Sequence, residues 1–225
     1  MFTESYEDDI SANDLALKIY DDVLNFFKSI PVDAINKYRT VLNNGKYHGF
    51  IIHNSTVGTI IVAFGNKNNP EAGGYGLTPN GKPFILLNLL EDGWEPSEIK
   101  KLSYPRWRKT FVHEATHLID NRRVKPTYKT KFTTSDMSKI AYYNSPEEIN
   151  TFFHEFITDL RSFDNLDDYA KEILLKTYKT PKELTNYFYD NSYWDKDKFL
   201  TTANRNRIKK RIFRTITNMF FGVDK

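Results

Sequence analysis

The sequence predicts an α+β fold in which a small sheet precedes a strong helix and a mainly helical C-terminal half. Three observations lead there. Residues 49–65, GFIIHNSTVGTIIVAFG, place β-branched residues on both sides of a polar turn, the pattern of a hairpin. Residues 103–123 carry apolar side chains at helical spacing, and from Pro146 onward segments with the same period succeed one another almost to the C-terminus.

Taken in order, the elements are these. From Asn13 to about Asn43, Leu15, Ile19, Val23, Phe26 and Phe27 recur at helical spacing, and Pro31 divides the run into two helices. The hairpin turns near residues 54–56. EAGGYGLTPNGKP, residues 71–83, reads as a glycine-rich loop, and PFILLNLL, residues 83–90, as a third strand, so the sheet is antiparallel or mixed. The next helix runs from Ser103 to about Arg123, with Ser103 as N-cap, Pro105 in the first turn and Lys125-Pro126 closing it. After a loop of about 20 residues a second strong helix spans Pro146 to about Ser162. Helices near 166–178, 181–189 and 198–221 complete the chain. There is no internal repeat. The expectation is a single domain over 1–225, with a helical N-terminal segment (1–44) and a helical C-terminal segment (163–225).

Composition narrows the chemistry. The 225 residues are 40% hydrophobic and include 17 Phe and 14 Tyr, enough apolar area for a packed core. Cysteine is absent, so any metal must be held by histidine and carboxylate. The acidic start, MFTESYEDDISAND, lacks the basic and apolar regions of a Sec-type signal, and no run approaches the roughly 18 apolar residues of a membrane span. A soluble, cytoplasmic protein without a membrane partner is expected. With 32 basic against 29 acidic residues, nucleic acid is not an expected partner, and the basic stretch RNRIKKRIFR (205–214) reads as solvated helix faces.

The chemistry concentrates in FVHEATHLIDN, residues 111–121, where His113, Glu114 and His117 form H-E-x-x-H in a chain with only five histidines. Residues four apart on a helix share a face, so His113 and His117 can direct two imidazoles at one ion. Glu114, about 100° further round, reaches water beside that ion without being a ligand. Trp107, Phe111, Ala115, Leu118 and Ile119 gather on the opposite side, so the histidines lie off the apolar stripe, in company with Thr110 and Asp120. Asp120, a turn after His117, is placed to accept a ring N–H or to face solvent.

Catalytic zinc takes three protein ligands and water. An extended H-E-x-x-H-x-x-G-x-x-H is excluded, because its glycine and last histidine positions hold Asp120 and Arg123. The third ligand must come from further along the chain, a carboxylate on another helix fits best, and Glu148 is the leading candidate. On the helix wheel it borders the stripe of Ile149, Phe152, Phe153, Phe156 and Leu160, whereas Glu147 and His154 point to solvent. Two alternatives stay open. Ser145-x-x-Glu148 is also a capping box, in which the carboxylate would bond the Ser145 N–H, and Glu147, or Glu155 with Asp159, could supply the ligand instead.

H-E-x-x-H succeeded after a loop by Tyr143, Pro146 and Glu148 at the head of a helix resembles the small gluzincin-type zinc metallopeptidases of bacteria and their phages. The resemblance covers roughly residues 84–162, and Thr151 stands where a small alanine is common. It implies a zincin-like fold, Zn2+ on His113, His117 and Glu148, and Glu114 as the base that activates water against a peptide bond. Tyr142 or Tyr143 could supply a hydroxyl to the oxyanion, although in a chain with 14 Tyr a packing role is the commoner one, and by the resemblance residues 84–89 would be the sheet edge that aligns a peptide substrate. The rival expectation is a zincin-like protein without activity, serving as a structural or interaction component of a phage virion; for a phage-encoded chain the location would be host cytoplasm or virion.

Overall fold

The computed structural model describes residues 6–42, 47–54, 57–68, 72–78, 80–91, 94–123, 139–164 and 168–222. The fold is mixed α+β, and the chain divides into two compact units, Ser11–Pro126 and Met1–Ile10 with Thr127–Lys225.

In the unit Ser11–Pro126, helix α1 (Tyr6–Ser29) and a 3-10 turn (Val32–Lys37) lead into β1 (Thr40–Leu42), β2 (Tyr47–Asn54), β3 (Gly58–Asn66), β4 (Gly73–Leu77) and β5 (Pro83–Leu90). Pro31 does end the run of α1, but the second helix expected beyond it is replaced by the single 3-10 turn and the short strand β1. The five strands form one mixed sheet in the order β1-β2-β3-β5-β4. The hairpin β2–β3 is antiparallel, β5 lies parallel to β3, and β4 pairs antiparallel with β5. Asn54 pins the hairpin turn twice: its Oδ1 accepts from the Val57 N–H at 2.9 Å and its Nδ2 donates to Asp22 on α1 at 2.7 Å.

Two of the expectations change here. The glycine-rich stretch read as a loop contains β4, and β4, not β5, is the edge strand on that side of the sheet, β1 being the other. Residues 84–89 belong to an interior strand, bonded to β3 on one side and β4 on the other, so they have no edge to offer a peptide.

One face of the sheet is the core. Phe50, Ile52, Ile60, Val62, Phe64, Ile85 and Leu87, alternate residues of β2, β3 and β5, are buried together with Ile19, Val23 and Phe27 of α1. Phe27 meets Phe50 and Phe64 with ring centroids 5.0 and 5.6 Å apart. Helix α2 (Pro105–Arg123) closes the same core with Phe111, Val112, Ala115, Leu118 and Ile119 and lies against β4 and β5. A 3-10 helix (Pro96–Ser103) precedes it, and Ser103 donates to the Lys100 carbonyl at 2.8 Å. Ser103 is therefore not the N-cap of α2. The Tyr104 carbonyl accepts the Trp107 and Arg108 N–H groups instead. Tyr20 ties α1 to this junction, donating to the Leu102 carbonyl at 2.8 Å while its ring meets Phe111 edge-on at 5.6 Å. The expected end of α2 at Lys125-Pro126 lies outside the described residues.

The other unit is helical: α3 (Lys139–Tyr143), α4 (Pro146–Asp164), α5 (Asp168–Thr177), α6 (Pro181–Asp197) and α7 (Thr202–Ile216), ending in a π turn (Thr217–Phe221). Its core joins Phe153, Phe156, Ile157 and Leu160 of α4 with Leu184 and Phe188 of α6 and Ile208, Ile212 and Ile216 of α7. Thr180 and Glu183 make a complete capping box on α6. Asn144, between α3 and α4, donates to the Phe199 carbonyl at 2.7 Å and accepts from the Thr201 N–H at 2.8 Å, joining the start of α4 to the α6–α7 connection.

Helix α4 is buried over more of its circumference than a single stripe. Thr151, Phe153, His154, Ile157 and Thr158 are all buried, and His154 is 1% exposed. The expectation that His154 faces solvent fails because side chains cover both flanks of the apolar stripe. Glu147 is exposed, as expected.

Candidate metal centre

Helix α2 is enclosed from Phe111 to Ile119, and His113, Glu114 and His117 are 7, 8 and 6% exposed. The apolar residues named from the sequence fill the core; the histidines occupy the remaining face. Their rings meet at 76° with Nε2 atoms 3.2 Å apart. That spacing carries a specific meaning. Two nitrogens at zinc-bonding distance on a tetrahedral ion lie about 3.3 Å apart, so the imidazoles already span the edge such an ion requires. The same distance admits an N–H···N hydrogen bond, with one ring donating and the other accepting.

Strand β4 runs beside these side chains. A Cβ on Gly73 would lie 2.8 Å from Thr110 Cγ2 and 3.0 Å from Glu114 Oε1, so the bare backbone of β4 is what leaves room for the carboxylate. Two residues on, Tyr75 stacks flat on His117 with centroids 4.8 Å apart and planes 16° apart. Neither Gly73 nor Tyr75 was singled out from the sequence. The signal that could have found them was an aromatic among three glycines just before a strand.

In the helical unit, Glu148 is half-buried in the first turn of α4. Half of the capping box is formed: the Ser145 hydroxyl accepts from the Glu148 N–H at 3.2 Å. The other half is taken, because the Ser145 N–H donates to the Tyr142 carbonyl at 3.1 Å. The helix start therefore does not depend on the Glu148 carboxylate. Glu155 is ion-paired with Lys196 at 3.0 Å, which weakens its claim as a ligand. Tyr143 is held by its ring, stacked on Phe199 at 5.1 Å and 7° and on Phe152 at 5.6 Å and 26°. Asp120 is half-buried near the end of α2.

The basic stretch 205–214 lies on α7, and several of its cations are occupied. Arg205 pairs with Asp197 at 2.8 Å, Lys209 sits 4.3 Å over the Tyr189 ring, and Arg211 is buried, donating to Asn150 at 2.9 Å and lying 3.9 Å over Phe153. Those contacts hold helices together. Among the described residues no helix is long and apolar enough to cross a membrane. No family model matches the chain, and no curated protein or solved structure does either.

Proposed function

We propose that the chain is a zinc-dependent metallopeptidase with a zincin-like fold, in which His113, His117 and Glu148 hold Zn2+ and Glu114 is the general base. The observation that carries this reading is the pair of imidazole nitrogens 3.2 Å apart on two buried histidines, with Glu114 buried on the same helix. Among the described residues, His113, His117 and Glu148 make up a candidate ligand set for a metal ion. Their chemistry suits zinc, which binds imidazole and carboxylate and needs no thiolate.

When bound, zinc lowers the pKa of a water toward neutrality and polarises a carbonyl. The chain's own groups do the rest. Glu114, confined beside Gly73 and Thr110, accepts the proton of the attacking water on its carboxylate and returns it to the leaving amine. Tyr143 is the assigned donor to the oxyanion, on a ring that Phe152 and Phe199 keep from turning. The edge strand β4 replaces β5 as the element that would align an extended peptide, by backbone pairing beside Glu114 and His117.

Metal analysis of the purified protein tests the reading, with about one zinc per chain expected. His113→Ala should abolish binding, and Glu114→Gln should keep zinc while losing casein hydrolysis. Protein that binds no zinc refutes the proposal. Glu148→Ala with unchanged zinc affinity would move the third ligand elsewhere.

A further inference from the structure

An imidazole has a broad preference about χ2, so nothing intrinsic to His117 aims its Nε2 at the partner nitrogen on His113. Contacts outside the side chain must fix the ring. The His113 nitrogen at 3.2 Å constrains Nε2, and the ring face is covered by Tyr75. Its ring lies flat on the imidazole at 4.8 Å and 16°, whereas His113 meets the same imidazole edge-on at 76°. Turning His117 about χ2 would drive a ring edge into the phenol face, so the stack permits one plane and opposes the rest.

The strand is built to deliver this one side chain. β4 reads Gly73-Gly74-Tyr75-Gly76-Leu77, and Gly73 and Tyr75 share the face turned to α2 because strand side chains alternate. Gly73 stands by Glu114 and Tyr75 by His117, so the strand runs along the face of α2 that carries both side chains. Gly76, on the other face, is covered by the Phe84 ring, which a Cβ there would approach to 2.5 Å. That packing holds β4 on β5 next to Tyr75.

We propose that Tyr75 is a positioning residue for His117: its ring holds the imidazole in the plane in which Nε2 can face His113 Nε2 and the metal position. The effect on metal binding rests on the zinc reading above; the effect on the ring plane does not. Two substitutions separate the roles of the ring and the hydroxyl. Tyr75→Leu removes the flat face, and Tyr75→Phe keeps it.

Zinc affinity measured by competition with a chromophoric chelator should fall about tenfold or more in Tyr75→Leu, as for other groups that orient a ligand, and stay at the wild-type value in Tyr75→Phe. In histidine-labelled, metal-free protein, the His117 ring protons should be shifted upfield by the phenol ring current, the shift being lost in Tyr75→Leu and kept in Tyr75→Phe. His113 signals should change far less. Unchanged zinc affinity in Tyr75→Leu, or equal loss in both variants, overturns the proposal. If wild-type protein binds no zinc, the peptidase reading fails, and the His117 shift alone decides whether Tyr75 sets the ring plane; its absence overturns that as well. A thermal melt of each variant shows whether the sheet is intact.

Discussion

Gly73→Ala puts the contact between β4 and α2 to a quantitative test. The added methyl would sit 2.8 Å from Thr110 Cγ2, 3.0 Å from Glu114 Oε1 and 3.1 Å from the Leu86 carbonyl. The first two atoms are side-chain ends that can retreat, but the third is backbone of the paired strand β5. Overpacking of this kind costs roughly 1–3 kcal/mol, partly offset by about 0.4–1 kcal/mol from the stiffer unfolded chain. Gly74→Ala is the matched control, because its Cβ would have nothing within 4 Å. The unfolded-state gain is common to both, so their difference isolates the clash at about 2 kcal/mol, or about 4–8 °C in Tm for a chain of this size. Thermal melts monitored by circular dichroism read this directly. In addition, displacement of Glu114 should reduce casein hydrolysis in Gly73→Ala while zinc content holds. Equal melting temperatures and equal activities for the two variants would refute the close approach of β4 to Glu114.

The same packing sets other outcomes. Tyr20→Phe should lower stability by about 1–2 kcal/mol, measured by urea unfolding, because the buried Leu102 carbonyl loses its donor. His48 stacks on Trp94 at 5.0 Å, and its pKa is lowered, first by burial and then by the neighbouring Arg39. The unfolded chain therefore takes up a proton on His48 as pH falls through about 6.5, whereas the folded protein takes it up only at lower pH, so stability is lost across that interval. His48→Phe should flatten this part of the pH–stability curve; a His48 that titrates by NMR at or above the ordinary value would contradict the reading.

Helix α2 was legible because its information is local: the spacing of Trp107, Phe111, Ala115, Leu118 and Ile119 both forms the helix and turns the histidines off the core face. The strands β2, β3 and β5 were legible from their β-branched runs. Strand β4 was not, since three of its five residues are glycine and glycine disfavours strands; pairing with β5 overrides that preference. Three-residue β1 has too little pattern to read. Ser103 looked like an N-cap because a 3-10 helix ending beside an α-helix resembles a single start. His154 was misplaced because a helix wheel assumes one covered face, and α4 has more. The role of Tyr75 beside His117 was hidden for a different reason. Its partner His117 is far along the chain, and only the sheet order brings the two together.

That order also separates a local contact from a distant one. β4 and β5 form a local hairpin, closed by the Thr78 N–H on the Lys82 carbonyl at 2.8 Å and by Gly81 at φ 72°. The parallel pairing of β5 with β3 and the stacking of Tyr75 on His117 join segments far apart in the chain, and each bears a loop-closure entropy that the hairpin does not. The His117 ring-current shift during refolding would therefore time the arrival of the hairpin at α2.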